Sequence, residues 1–520
     1  MTTIASHTIA DITRVHAAAQ PDKVALVFGA RNVTYGELDR TACQVAQALQ
    51  SAGVVAGDRI AFLDKNSVEH FEVFFGAAKL NAVSVDINWR LSASEIAFIV
   101  RDASAKVFIF GQEFCPVVDT IRADIAPTTL LVAIGGHNGV ETYERWSQTQ
   151  PANDPAVPVT RSDIAFQLYS SGTTGQPKGV MLTHDNFYAL LPTFDAWGVE
   201  GESVLLVAMP LFHIGGSGWA TVGLHTGCTC VLVREFEPST VVRLLVDHGV
   251  THAFFVPAVL QLILACEETK NADFSSLHAI LYGAAPISED VLARALEVFG
   301  CDFWQAYGLT ETAGAIVNLP PADHVDHTNR HRLRSAGVPG PGAELRILDT
   351  LTGEDLGPGQ TGEVVLRSPQ VMVGYWQLPD ATVKALRDGW LHTGDVGFVD
   401  EDGYLYLQDR VNDMIVSGGE NVYPIEVENV LMGHPEVFDA AVIGIPSERW
   451  GEAPVAVVVR ESTSEISEAE LISYCRERLA HFKCPTRVVW TDELPRNPSG
   501  KILKKDLRAP YWEGRDRFVS

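Results

Sequence analysis

The chain has 520 residues, with 39 Lys and Arg against 65 Asp and Glu, a net charge of −26, and 46% hydrophobic residues. That length exceeds what one hydrophobic core supports, so two or more domains are expected. The acidity disfavours sequence-independent binding to nucleic acid or to an anionic membrane, and a polyanionic substrate would need locally placed cations and backbone donors. The first residues show no basic stretch followed by an apolar block, so no secretory leader is read there. Thr34-Tyr35-Gly36-Glu37, ahead of an apolar-periodic run, is a capping box. Arg59–Leu63 reads as a strand, Ser67–Leu80 as a helix and Ala82–Asp86 as the next strand; Lys106–Phe110 and Thr129–Ile134 repeat the theme. Such alternation argues for α/β layers with largely parallel strands. The longest apolar stretch, Ala253 to Cys266, contains Pro257 and Gln261 and is shorter than the ~20 residues of a membrane span. A soluble, cytoplasmic protein without an integral membrane segment is expected, with peripheral membrane contact left open. The eight cysteines are scattered and form no Cys-x-x-Cys pair; Cys228 and Cys230 alternate within an apolar run and should share a strand face. Buried thiols in a reducing compartment fit this pattern.

After about Gly340 the organisation changes. Glu344–Leu348, Gly362–Leu366 and Gly403–Leu407 read as short strands between Gly turns, as in a small β-barrel or β-subdomain. The final part of the chain reads as a separate α+β unit: helix Tyr423–Met432, strands Asp439–Ile445 and Ala453–Arg460, helix Glu468–Leu479 capped by Ser467 with Glu470, then a Lys-rich segment.

The segment Ser170-Ser171-Gly172-Thr173-Thr174-Gly175-Gln176-Pro177-Lys178-Gly179 follows the apolar strand Ile164–Leu168. Its glycines let the backbone approach a phosphate, its hydroxyls add donors and Lys178 adds a charge. It is not a Walker loop, because Gly179 rather than Ser or Thr follows Lys178. Thr310 and Glu311 follow the run Phe303–Tyr307, and a carboxylate beside nucleotide oxygens suits Mg²⁺. Tyr307 offers a flat face for a base. Asp395, in Thr393-Gly394-Asp395, could accept hydrogen bonds from a vicinal diol, whereas an isolated Asp in a Gly turn would be turn chemistry alone. Lys501 ends Pro495-Arg496-Asn497-Pro498-Ser499-Gly500-Lys501. Positive charge there would serve where two anions meet in a phosphoryl-transfer transition state.

At the 170–179 string the chain resembles the adenylate-forming superfamily of acyl-CoA synthetases, firefly luciferases and nonribosomal-peptide adenylation domains. The resemblance covers nearly the whole chain, through Pro210-Leu211-Phe212-His213, Tyr282-Gly283-Ala284-Ala285-Pro286, Tyr307-Gly308-Leu309-Thr310-Glu311, Asp409-Arg410 and Ser417-Gly418-Gly419-Glu420-Asn421-Val422-Tyr423-Pro424. It implies a large AMP-binding domain over 1–411, made of layered α/β subdomains plus a β-subdomain. It implies a small mobile α+β domain over 412–520 that carries catalytic Lys501, with a hinge at Asn412, where the family more often shows Asp or Lys. It gives the ATP site to Ser170, Ser171, Gly172, Thr173, Thr174, Gly175, Lys178, Gly283, Ala284, Ala285, Tyr307, Gly308, Asp395 and Arg410. Thr310 goes to the α-phosphate and Glu311 to Mg²⁺. His213 is implied to bind and gate the acyl group rather than act as a base, and Gly215, Gly216, Trp219 and Gly283 to line the acyl site. Arg90, Gly418, Gly419 and Phe482 are implied to meet coenzyme A, while Cys484 stands where some relatives have Arg.

The implied reaction joins a small-molecule carboxylic acid to ATP, releasing pyrophosphate, and then moves the acyl group to CoA. A carrier-protein acceptor and a binding-only relative are the competing readings, and no carrier domain is read after Lys501. Gly215 to Thr226 is small and apolar, and no anionic partner for an α-amine is visible. A medium- or long-chain fatty acid is therefore expected first, an aromatic or steroid-side-chain acid second. Oligomeric state is not legible.

Overall fold

The computed structural model describes residues 7–513 apart from 171–176, 286, 351, 411–412, 414, 418–419, 423, 448–449, 463, 480 and 497–501, and apart from the side chains at 409, 410, 416, 420, 421, 451 and 482. The chain divides into two compact units, one of residues 1–344 and 367–389 and one of residues 345–366 and 390–520. Asn412, the expected hinge, lies outside the described residues.

The first unit holds two large sheets. One has eight strands in the order Gly374–Tyr375, Lys178–Thr183, Ile164–Ser170, Val83–Asp86, Arg59–Leu63, Val107–Gly111, Leu130–Ile134 and Glu141–Thr142. The other has nine, ordered Val338–Pro339, Gly314–Leu319, Asp302–Leu309, Ala279–Gly283, His252–Phe255, Val204–Val207, Thr229–Leu232, Val24–Phe28 and Arg31–Thr34. Both are mainly parallel where helices connect consecutive strands, as the alternating pattern requires. Thr34 caps the helix Tyr35–Ser51 reciprocally with Glu37, and Ser67 caps Val68–Lys79. The apolar stretch Ala253–Cys266 is split at Pro257 into a strand and the helix Pro257–Ala265, because proline fits the first helical turn and not a ladder. No helix among the described residues is long and apolar enough to cross a membrane. Cys228 and Cys230 are both buried, and all eight cysteines are free.

The second unit contains an antiparallel meander, Glu344–Leu348, Gly362–Arg367, Trp390–Val399 and Leu405–Arg410. A further sheet pairs Val437–Ser447 with Gly451–Arg460 and adds Ile415–Ser417, Glu420–Val422 and Arg487–Trp490. Helices Pro424–Met432 and Glu468–Arg476 contribute Val427, Leu431, Leu471 and Cys475 to its core. The Ser467–Glu470 capping box is present. The Lys-rich tail forms the helix Lys504–Trp512.

Candidate active site

The phosphate-loop segment is anchored at both ends. Strands Ile164–Ser170 and Lys178–Thr183 are antiparallel, with Ser170 directly opposite Lys178. Residues Ser171, Gly172, Thr173, Thr174 and Gly175 themselves lie outside the described residues. Gly179 sits against Gln167, where a Cβ would come within 2.8 Å of its Nε2, so a side chain at this foot of the loop would have to displace the Gln167 amide.

Glu311 lies beside that anchor. The strand Asp302–Leu309 delivers it on a single 3₁₀ turn, Thr310–Thr312. Thr312 is buried and pins the turn: its Oγ1 accepts from the Leu309 N–H at 2.8 Å and donates to the Gly314 carbonyl at 2.7 Å. The Met372 N–H donates to the Glu311 carbonyl at 2.8 Å. Glu311 Oε1 then accepts from Ser170 Oγ at 3.3 Å and from Tyr375 Oη at 3.0 Å. Lys178 Nζ stands 5.0 Å from the centre of the Tyr375 ring, a cation–π distance. Three segments remote in sequence therefore converge on one carboxylate, and the structure brings together the expected Ser170, Lys178 and Glu311. Tyr375 had no place in the sequence reading. Its only local signal is an aromatic residue after Gly374, which many strand edges share.

The small residues around this corner have steric reasons. Gly283 pairs with Ala306, and a Cβ on it would collide with the Ala306 carbonyl. A Cβ on Gly308 would collide with the Gly314 carbonyl. Ala284 and Ala313 hold φ of +64° and +53°, the left-handed region that a non-glycine residue enters at a cost of roughly 1 kcal/mol or more. Ala285 is exposed and Tyr307 half-buried, paired in register with Val317.

His213 begins the helix Ile214–Thr226 as its N-cap residue. Its Nε2 is shut from solvent with no hydrogen-bond partner among the described residues. Desolvation, aided by the Arg90 charge, pushes its pKa down to about 4. The ring is thus neutral at neutral pH and packs 4.5 Å from Phe212. Arg90, exposed, lies 4.5 Å from the Trp89 ring and 5.9 Å from Phe212. On the helix, a Cβ at Gly215 would meet Phe254 at 3.0 Å, and Gly216 has no room beside the Pro210 carbonyl. Trp219 is buried; its N–H donates to the Leu206 carbonyl at 3.0 Å and its ring packs on Phe194 and Trp197.

In the second unit, Asp395 faces Arg410 across the strand pair Trp390–Val399 and Leu405–Arg410. The turn before it is held tightly: Thr393 Oγ1 donates to the Val364 carbonyl at 2.7 Å and accepts from the Asp395 N–H at 3.0 Å. The Gly394 N–H donates to Glu363 at 3.2 Å, with Gly394 at φ +69°. The side chain of Arg410, the side chain of Phe482, and Gly418, Gly419 and Lys501 lie outside the described residues. Cys484 is buried in the core of this unit beside Cys475 and Val488.

Glu311 is suited to a magnesium ion. It is a hard oxygen donor whose Oε1 takes both protein hydrogen bonds, and Mg²⁺ commonly takes one or two protein carboxylates and completes its shell with phosphate oxygens and water. Such an ion would neutralise phosphate charge beside the loop.

A phosphate-loop hairpin beside a carboxylate turn, on a two-sheet α/β unit followed by a small α+β segment, defines an adenylate-forming enzyme. The chain belongs to that family: residues 13–376 match the AMP-binding enzyme model and residues 426–501 match the AMP-binding enzyme C-terminal domain. Within it the chain is an AMP-forming acid–thiol ligase of the acyl-CoA synthetase type, a class that uses ATP and CoA. It is 42% identical over 519 residues to a fatty acid–[acyl-carrier-protein] ligase, ScoC, of Streptomyces coeruleorubidus, covering 99% of this chain and 98% of the relative. It is 40% identical to a feruloyl-CoA synthase of an Amycolatopsis species, covering 95% and 97%. A solved Mycobacterium tuberculosis fatty acyl CoA synthetase superposes with a TM-score of 0.79 at 34% identity, covering 98% and 99%.

Proposed function

We propose that this enzyme activates a medium- or long-chain fatty acid as its acyl-adenylate and transfers the acyl group to CoA. One observation carries the choice of acid. Ile214 and Leu190 close on Gly314, within 3.8 and 4.0 Å of where its Cβ would stand, and Phe254 closes on Gly215. This apolar wall begins three residues beyond Glu311, and His213 beside it is uncharged. The side chains that form it, Ile214, Leu190 and Phe254, carry no charge to pair with an amine or a second carboxylate, and burying either unpaired would be costly.

In this reading Ser170, Lys178 and the rest of the loop hold the ATP phosphates, with Thr310 directed to the α-phosphate. Glu311 would hold a magnesium ion, which would screen their charge. The acid's carboxylate attacks the α-phosphorus and pyrophosphate leaves, with Lys501 supplying charge to the transition state. Tyr307, Gly308 and the Gly283–Ala285 segment form the base and acyl wall, and Asp395 with Arg410 takes the ribose hydroxyls. Arg90, Gly418, Gly419 and Phe482 receive CoA, with residues 1–411 and 412–520 moving about Asn412 between the two half-reactions.

Two specific observations support a second reading. ScoC is by name a carrier-protein ligase, and Cys484 stands where some relatives of the family have Arg, so one CoA contact would be missing. The feruloyl-CoA relative likewise supports an aromatic acid. The deciding experiment offers a panel of short to long alkanoic acids, benzoate and cinnamate types, with free CoA and acyl carrier protein as alternative acceptors. A kcat/KM maximum on alkanoic acids with CoA is expected. A maximum on a cinnamate, or thioester only on the carrier protein, overturns the corresponding half of the proposal.

A further inference from the structure

A cleft of about 490 Å³ opens on the first unit where the strands Arg59–Leu63, Val107–Gly111 and Leu130–Ile134 begin and the helix Ala93–Asp102 ends. None of the residues assigned to ATP, acid or CoA lines it. Arg59, Arg101 and Lys106 face it, with Asp58, Asp124 and Trp376. Among the described residues the side chains of Arg101 and Lys106 make no ion pair or hydrogen bond, in a chain where acids outnumber bases 65 to 39. Both are exposed. Arg59 is fixed: its Nε donates to Gln167 at 3.1 Å, its Nη1 donates to the Gly57 carbonyl, and its guanidinium lies 3.5 Å over the Trp376 ring.

The wall of this cleft is tied to the phosphate loop. The Trp376 N–H donates to the Gly179 carbonyl at 2.8 Å, and its indole N–H donates to the Asp102 carbonyl at 2.8 Å. Asp102 also accepts from Tyr169, which accepts from Gln167. Tyr169 and Gln167 belong to the strand that ends at Ser170, and Tyr375, next to Trp376, donates to Glu311.

We propose that this cleft is a second anion site, separate from the nucleotide site, that takes a sugar phosphate and whose occupancy is felt at the phosphate loop. The cations suit a phosphate dianion. The carboxylates of Asp58 and Asp124 suit sugar hydroxyls, which donate to them. The volume is that of a small-molecule pocket rather than of a bare anion, since ligand pockets begin near ~300 Å³. A ligand seated against Trp376 reaches the foot of the loop through the Gly179 carbonyl and through Tyr375 to Glu311, and it can act there only by a difference in affinity between states of that foot.

The test uses the full chain saturated with a non-hydrolysable acyl-adenylate analogue, so that the nucleotide site is closed to the probe. Ribose 5-phosphate is titrated by calorimetry against this complex, with inorganic phosphate as the second arm. One saturable site is expected, weakened about tenfold or more in Arg101→Ala/Lys106→Ala, with inorganic phosphate binding about tenfold less tightly. Both substituted side chains are exposed, so the double variant should melt like the parent and keep its basal ATP–pyrophosphate exchange. In the exchange assay ribose 5-phosphate should shift the KM for ATP in the parent and not in the double variant. No saturable binding, or unchanged affinity in the double variant, overturns the site. Equal binding of inorganic phosphate overturns the sugar assignment, and binding without a KM shift overturns the coupling.

Discussion

Two carboxylates proposed for the nucleotide, Glu311 and Asp395, are held in opposite ways. Glu311 is fixed by hydroxyls 141 and 64 positions away, from Ser170 and Tyr375. The backbone that carries Asp395 is fixed by its own hairpin and the neighbouring strand, through Thr393 two residues earlier and through Glu363 and Val364. The first corner exists only when the eight-stranded and nine-stranded sheets are both formed. The second is a local device of one meander. The first depends on packing between segments far apart in the chain, the second on contacts within one sheet.

The contrast can be broken most sharply at Glu311. Glu311→Gln keeps the shape and removes the charge proposed for Mg²⁺; kcat for ATP–pyrophosphate exchange should fall about a hundredfold or more with thermal stability kept. A loss below about threefold would remove Glu311 from the metal role. Asp395→Asn should act next in size and differently, raising the KM for ATP about tenfold while kcat stays near the parent value, as expected for a lost charged hydrogen bond to the ribose. A fall in kcat with KM unchanged would place Asp395 in the chemistry instead. The smallest effect is expected for Tyr375→Phe, which deletes one hydrogen bond worth about 1 kcal/mol. The Mg²⁺ concentration for half-maximal exchange should rise about fivefold, with most of kcat recovered at saturating metal. If added Mg²⁺ restores nothing, Tyr375 is structural rather than a positioning residue for Glu311.

Much of the fold was legible because its signals are local. The capping boxes at Thr34 and Ser467 are written in four consecutive residues, and both formed. The strands at 59–63, 107–111 and 130–134 announced themselves as short apolar runs. The first kept both ends, while Lys106–Phe110 became Val107–Gly111 and Thr129–Ile134 lost its first residue, because hydrogen bonds to neighbouring strands set where a ladder stops. The helix Lys504–Trp512 was missed, since its weak pattern includes Pro510 and reads as a basic tail. Among candidate site residues, Ser170, Lys178 and Glu311 were named from motif alone and the structure assembles them. Tyr375 was not, because nothing in Gly374-Tyr375-Trp376 says which carboxylate the hydroxyl will reach. Trp219 was placed at the acyl site by the resemblance, and the structure adds what holds it there. Its indole N–H is committed to Leu206 and its ring to Phe194 and Trp197, a partnership between segments that spacing along one helix does not encode.

By itself the sequence determined the family and the reaction class, because those show as functional groups in a fixed linear order. Only the tertiary structure decided that Glu311 has two hydroxyl donors from different strands, that the His213 ring is desolvated and neutral, and that Trp376 joins a cationic cleft to the foot of the phosphate loop. Each of these follows from the same physical cause: hydrogen bonding and burial act over a few ångströms in space, and only the packed sheets bring residues so far apart in the chain within that range.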